Sequence, residues 1–184
     1  MKILKAYKYR LYPNKQQQEL LSKHFGCCRY IYNYALAKKI EHYTKEKKTL
    51  SRFEIQKDLV SLKNEKETKW LKEVNSQSLQ ASLVNLDQAY TRFFREKNGF
   101  PKFKSKHNKQ SCQFPQKNKV DFENNKLHVM KFREGIKCRF HRQFEGTIKT
   151  VTVNKTKTDK YFASILVEEN IPEPKKEKPD INKA

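Results

Sequence analysis

KILKAYKYRL, residues 2–11, alternates between two kinds of side chain: Ile3, Tyr7, Tyr9 and Leu11 fall on one side, Lys8 and Arg10 on the other. A period of two in β-branched and aromatic residues predicts a β-strand, and Tyr12-Pro13-Asn14 ends it. No second strand follows for about 100 residues, so this one must pair with strands from the far end of the chain. That separation implies a sheet interrupted by a large helical insertion.

The insertion begins at Asn14, which with Gln17 three residues on forms a capping box. Leu21 and Phe25, then Ile31 and Ala35, then Leu36 and Ile40, keep helical spacing to about residue 48. Gly26 stands in the middle, either as a turn between two helices or as a close-packing point within one. Ser51-Arg52-Phe53-Glu54 is a second capping box, followed by Ile55, Leu59 and Leu62. A third helix spans about residues 75–97, with Leu79, Leu83, Leu86, Tyr90 and Phe93 or Phe94 as its core stripe, and Gly99-Phe100-Pro101 stops it.

Beyond a basic connector, residues 102–110, the pattern changes to short strands: 113–114, 120–122, 127–132, 136–140, 147–154 and 161–168. Turn sequences such as Glu123-Asn124-Asn125 and Arg133-Glu134-Gly135 separate them. The alternation in 147–153 slips by one residue, which suits a β-bulge. The predicted class is α+β: a small antiparallel β-barrel, wedge-like, split by an inserted helical lobe. Residues 1–13 supply its first strand, 14–100 the lobe and 101–170 the rest of the barrel. Residues 171–184, with three prolines among Lys and Glu, read as a linker. A closed barrel would leave no free edges.

The 184 residues carry 41 Lys and Arg against 20 Asp and Glu, a net charge of +21. A field of that sign gathers polyanions, since each neutralised phosphate releases a condensed counterion. The cations are spread along the chain rather than along one amphipathic face, which favours nucleic acid over a membrane surface. The four cysteines (27, 28, 112, 138) contain no C-x-x-C pair, and no leader segment is evident, so reduced, buried thiols in the cytoplasm are expected. Five scattered histidines, interleaved acids and only four glycines offer no metal site, cofactor loop or catalytic constellation. The candidate residues are therefore binding residues. Lys5, Lys8 and Arg10 can face a phosphate backbone. Lys102, Lys104, Lys106 and Lys109 with Phe103 combine cations and an aromatic as strand-tracking segments do. Lys137, Arg139 and Arg142 repeat the pattern. Ser76, Gln77 and Gln80 place amide and hydroxyl groups at a helix start, where Gln can read adenine.

Several strings carry a resemblance. Tyr9-Arg10-Leu11-Tyr12-Pro13, then Gly26-Cys27-Cys28-Arg29-Tyr30-Ile31-Tyr32-Asn33, then Trp70-Leu71 with Ser78-Leu79-Gln80 and Asn85-Leu86-Asp87, then Gly99-Phe100-Pro101-Lys102-Phe103-Lys104, resemble successive motifs of the TnpB (OrfB-type, helix-turn-helix) transposon proteins. The resemblance covers the amino-terminal half of that family. It implies a wedge barrel with a helical recognition lobe that binds guide RNA from the transposon end and duplex DNA bearing a short adjacent motif. Arg52, Gln56, Ser76, Gln77, Gln80, Pro115 and Gln116 match the family's motif-reading positions. The RuvC-like nuclease domain and its carboxylates would follow this chain, so the chain alone is expected not to be a nuclease; a separate RuvC-bearing polypeptide is one partner it could need. A helix-turn-helix repressor, requiring a turn at Gly26, and a non-functional transposase fragment are the alternatives.

Overall fold

The computed structural model describes residues 1–172, so most of the expected linker lies outside the described residues. Strand β1 spans Lys2–Tyr12. The helical insertion follows as α1 (Lys15–Glu46), α2 (Arg52–Asn64), a short 3-10 helix (Lys69–Glu73) and α3 (Ser76–Glu96). Six strands complete the chain: β2 (Gln110–Phe114), β3 (Lys119–Asp121), β4 (Lys126–His128), β5 (Ile136–Arg139), β6 (Thr147–Lys155) and β7 (Tyr161–Asn170).

Both capping boxes form. The Asn14 side chain accepts from the Gln17 amide at 2.9 Å while Gln17 accepts from the Asn14 amide at 3.1 Å, and Ser51 with Glu54 does the same at 3.3 and 2.7 Å. α1 runs unbroken through Gly26. A Cβ added at Gly26 would meet nothing within 4 Å. Neither a turn nor tight packing therefore explains this glycine, which costs the helix about 1 kcal/mol relative to alanine.

The strands form one antiparallel sheet in the order β2-β6-β7-β1-β5-β4-β3, with the amino-terminal strand between β7 and β5. β1 pairs with β7 from Lys2↔Asn170 to Leu11↔Tyr161. The expected register slip is present between Ile148 and Thr150, opposite β7. Gly146 leads into β6 at φ 140°, where a Cβ would lie 2.3 Å from the Glu168 carbonyl oxygen; only glycine fits there.

The fold class is as predicted, but the sheet curls into a half-barrel whose hydrogen bonding does not close. β2 and β3 remain edges. Aromatic packing joins the two flanks instead. Phe114 on β2 and Phe132 after β4 stand edge to face at 6.1 Å, and the His24 ring of α1 lies 5.4 and 5.6 Å from them. This explains why the strand expected over 127–132 stops at His128. The chain leaves the ladder in two turns, Phe132 N–H to Val129 C=O and Gly135 N–H to Phe132 C=O, to bring Phe132 inward. A second correction concerns α3. Leu79, Leu83 and Leu86 are buried, but Phe94 is 68% exposed. The helix outlasts the core beneath it, and Tyr90 and Phe93 each pack edge to face on Phe100, with ring centroids 5.6 and 5.3 Å away.

Candidate nucleic-acid interface

Because opposed residues of antiparallel strands share a face, the register assembles one surface from three distant segments. Lys8, Arg10 and Tyr12 of β1 point away from the core side occupied by Tyr9 and Leu11. Arg10 lies opposite Phe162 on β7 and Arg139 on β5; Tyr12 lies opposite Lys137, which lies opposite Lys126 of β4. The Phe162 ring lies 4.8 Å from the Lys8 ammonium and 5.0 Å from the Arg10 guanidinium, and Tyr12 flanks Arg10 at 5.5 Å. Arg10 Nη1 is buried with no hydrogen-bond partner among the described residues. Nor is any of Lys8, Arg10, Lys126, Lys137 or Arg139 in an ion pair among them. Like charges set directly opposite one another destabilise a sheet. The Arg10–Arg139 opposition thus works against folding, a cost that an anion between them would relieve.

The other end of the same sheet is electrically settled. Glu168 pairs with Lys149 at 3.1 Å and with Lys2 at 3.5 Å. Lys5 belongs to that end and to the opposite face. It is 2.8 Å from Glu169, whose carboxyl also accepts from Tyr7, and these two hydrogen bonds hold the Glu169 pKa below its usual value. Lys5 therefore does not join Lys8 and Arg10 on a shared surface, contrary to the grouping expected above.

A second cluster sits where α3 starts. The N-cap Asn75 accepts from the Gln77 amide at 3.2 Å, and its own amide donates to buried His24 Nε2 at 3.1 Å, which anchors the helix start to α1. Gln77 donates to the Gln116 side chain at 2.9 Å, and with Gln80, Pro115 and Gln113 these residues line a cleft of about 260 Å³. The Gln77 side-chain oxygen is buried without a partner among the described residues. Ser76, beside them, accepts from Lys63 at 2.7 Å. Arg52 and Gln56, on α2, do not line this cleft. Arg52 begins α2, about 16 Å along the axis from Lys63, with Gln56 one turn further in, and the Arg52 guanidinium rests on Phe53 at 4.8 Å.

The connector is tied to α1 at Lys104 and, at its end, through the Arg29 guanidinium, which donates to the Gln110 side chain. Asn33 of α1 accepts from the Lys104 amide at 2.8 Å and donates to its carbonyl at 2.9 Å. The Lys104 residue keeps exposed surface, yet its ammonium lies 3.9 Å from the Tyr32 ring centre, and burial there lowers its pKa. Lys104 is a tether. Lys102, Lys106 and Lys109 are exposed and outside any ion pair among the described residues.

Residues 1–48 match a family model described as a helix-turn-helix domain of OrfB proteins of IS605 elements. The chain is 36% identical over 174 residues to InsQ of Escherichia coli K12, named as a candidate RNA-guided DNA endonuclease, and 31% identical over 171 residues to another so named from Streptomyces pristinaespiralis. It is also 33% identical over 116 residues to the virulence protein VsdF of Salmonella dublin, covering 98% of that protein and 58% of this chain. The chain belongs to the TnpB (OrfB-type) family. Those alignments cover 95% and 92% of this chain but 43% and 42% of the two RNA-guided relatives, so it spans less than half their length.

In this TnpB-family chain the 48 matched residues form β1 and one continuous helix, so residues 14–46 supply no turn between two helices. Of the seven positions implied by the family resemblance, Gln77, Gln80, Pro115 and Gln116 share the cleft, Ser76 borders it, and Arg52 and Gln56 do not line it. Sequence reasoning missed Lys126, Tyr12 and Phe162. Nothing local marks them, because strand register alone brings them to Arg10. Among the described residues no three His, Cys, Asp or Glu side chains are grouped to hold a metal ion, and no helix is long and apolar enough to cross a membrane.

Proposed function

We propose that this chain is the nucleic-acid-holding part of a TnpB-type, RNA-guided system. The outer sheet face binds the backbone of a structured RNA, and the cleft at the start of α3 reads base edges of a duplex. The observation that carries this reading is the stripe Phe162–Arg10–Arg139 with Lys8, Lys137 and Lys126: cations without carboxylates, interleaved with aromatic rings. Arg presents a planar fork of donors suited to phosphate, and a buried, unpartnered guanidinium nitrogen gains most from one. Gln77, Gln80 and Gln116 offer the amide pairs that can meet adenine edge-on. Lys102, Lys106 and Lys109 extend the cationic track. By analogy with the relatives' names the RNA is a guide and the target is DNA; the family resemblance implies that the guide comes from the transposon end, that the duplex carries a short adjacent motif, and that DNA cleavage belongs to a RuvC-like domain outside these residues. A repressor reading lacks the paired helices it needs, since α1 is continuous.

The test is a titration of the purified chain against transposon-end RNA, single-stranded DNA and duplex DNA at two salt concentrations. The expected result is preferential binding of the RNA that survives moderate salt, weakened by Arg10→Ala and Arg139→Ala. Equal, weak binding of all three that vanishes with salt would refute the proposal.

A further inference from the structure

A groove runs along α1 between the 3-10 helix and the connector, outside both surfaces described above. At about 3.6 residues per turn, Gly26, Asn33 and Ala37 lie along its floor, with Arg29 to one side and Tyr34 to the other. On the first side the Asn33 clamp on Lys104 holds Phe103 at the groove. On the second, Trp70 stands edge-on to Tyr30 at 5.1 Å and 71°, and its indole N–H donates to the Glu67 carbonyl at 2.9 Å. A Lys23–Glu73 ion pair at 2.5 Å ties the 3-10 helix to α1 at one end. The cavity measures about 750 Å³, within the range of ligand pockets.

Two observations mark this as a kept space. Gly26 weakens a continuous helix although a Cβ there would touch nothing within 4 Å; the position where a side chain would fill the groove is the one left without it. Trp70 and Phe103, which flank that position, remain 39% and 55% exposed. The chemistry of the walls selects the occupant. Planar aromatic surfaces call for a planar ring, and the rim is cationic: Arg29, which donates to the Gln110 side chain and has no ion pair among the described residues, and exposed Lys102 next to Phe103.

We propose that this groove takes an unpaired nucleobase of a single strand, stacked against Trp70 and Phe103 over Gly26, with the flanking phosphates at Arg29 and Lys102. The proposal rests on the nucleic-acid-binding reading and adds a base-specific slot to it.

Trp70 is the chain's single tryptophan, so its fluorescence reports the groove directly. The purified chain is titrated with a fluorescein-labelled oligothymidine and with an abasic strand of equal length, following anisotropy and Trp70 emission together. Stacking of one base predicts about tenfold tighter binding of oligothymidine than of the abasic strand, and quenching of Trp70 by oligothymidine only. Gly26→Leu should bring oligothymidine down to the abasic affinity and remove the quench. Gly26→Ala, which adds one methyl in open space, serves as the folded control with a smaller loss. Equal quenching by both strands, or a quench indifferent to Gly26→Leu, overturns the slot while leaving nucleic-acid binding intact. Concentration-dependent self-association that shifts Trp70 emission without any strand would put a second copy in the groove and overturn it too. Failure of both strands to bind at low salt while transposon-end RNA still binds overturns the slot alone; failure of the RNA as well refutes both readings.

Discussion

His24→Leu is the substitution that most directly tests how the helical insertion is fastened to the sheet. His24 is fully buried, its Nε2 accepts from the Asn75 amide at 3.1 Å, and its Nδ1–H donates to the Leu20 carbonyl at 2.8 Å. Its ring bridges Phe114 and Phe132, the residues that draw the two flanks of the sheet together. Leucine restores most of the volume but leaves the Asn75 amide, itself buried, without an acceptor. That loss costs about 1–3 kcal/mol. In a chain of this size the melting temperature should fall by roughly 4–8 °C for about 2 kcal/mol. His24→Ala adds an unfilled cavity and should cost about 4 kcal/mol. The pH dependence gives a sharper test. Burial lowers the His24 pKa below its ordinary 6.5, and neighbouring Lys131 acts in the same direction. The unfolded chain therefore takes up a proton that the folded chain refuses. Stability is full above pH 6.5 and falls below it, at about 1.4 kcal/mol per pH unit, until the folded pKa is reached. His24→Leu abolishes this component. Urea unfolding of both proteins from pH 7.5 to 5 isolates it as the difference between two curves, since the other four histidines are common to both. Curves that stay parallel through this window would refute the keystone role of a neutral His24.

Gly26→Ala should stabilise the chain by about 1 kcal/mol, raising the thermal midpoint by roughly 2–4 °C, because α1 is helical there and the added methyl meets nothing; a destabilised variant would mean that the glycine answers a packing need. Gly146→Ala should cost about 3 kcal/mol, read as a lowered urea midpoint, since its Cβ would collide with the Glu168 carbonyl. For Arg10→Ala with Arg139→Ala, the salt dependence of RNA binding should flatten by about 1–2 in log–log slope, while stability is unchanged or slightly higher as like-charge opposition is relieved. Lys5→Ala, whose ammonium is held by Glu169, should weaken RNA binding less than Lys8→Ala in the same titration.

The features that sequence alone determined are those set within a few residues. The alternation of β1, the capping boxes at Asn14–Gln17 and Ser51–Glu54, the buried stripe at Leu79, Leu83 and Leu86, and the slip at 148–150 all follow from side chains two to four positions apart. Backbone geometry makes such neighbours meet in any fold. The amino-terminal strand's isolation also required partners from the far end, and so disclosed the interrupted sheet. Tertiary structure alone decided which strands those were and in what register. Only that register sets Arg10 against Arg139 and Phe162, and it separates Lys5 from Lys8. It likewise took packing between remote rings to replace a closed barrel by a half-barrel held at Phe114, His24 and Phe132, to divert Lys104 onto Tyr32, and to leave open space over Gly26. Register and ring packing are set by competition among contacts between residues distant in sequence, and no local pattern encodes which contact prevails.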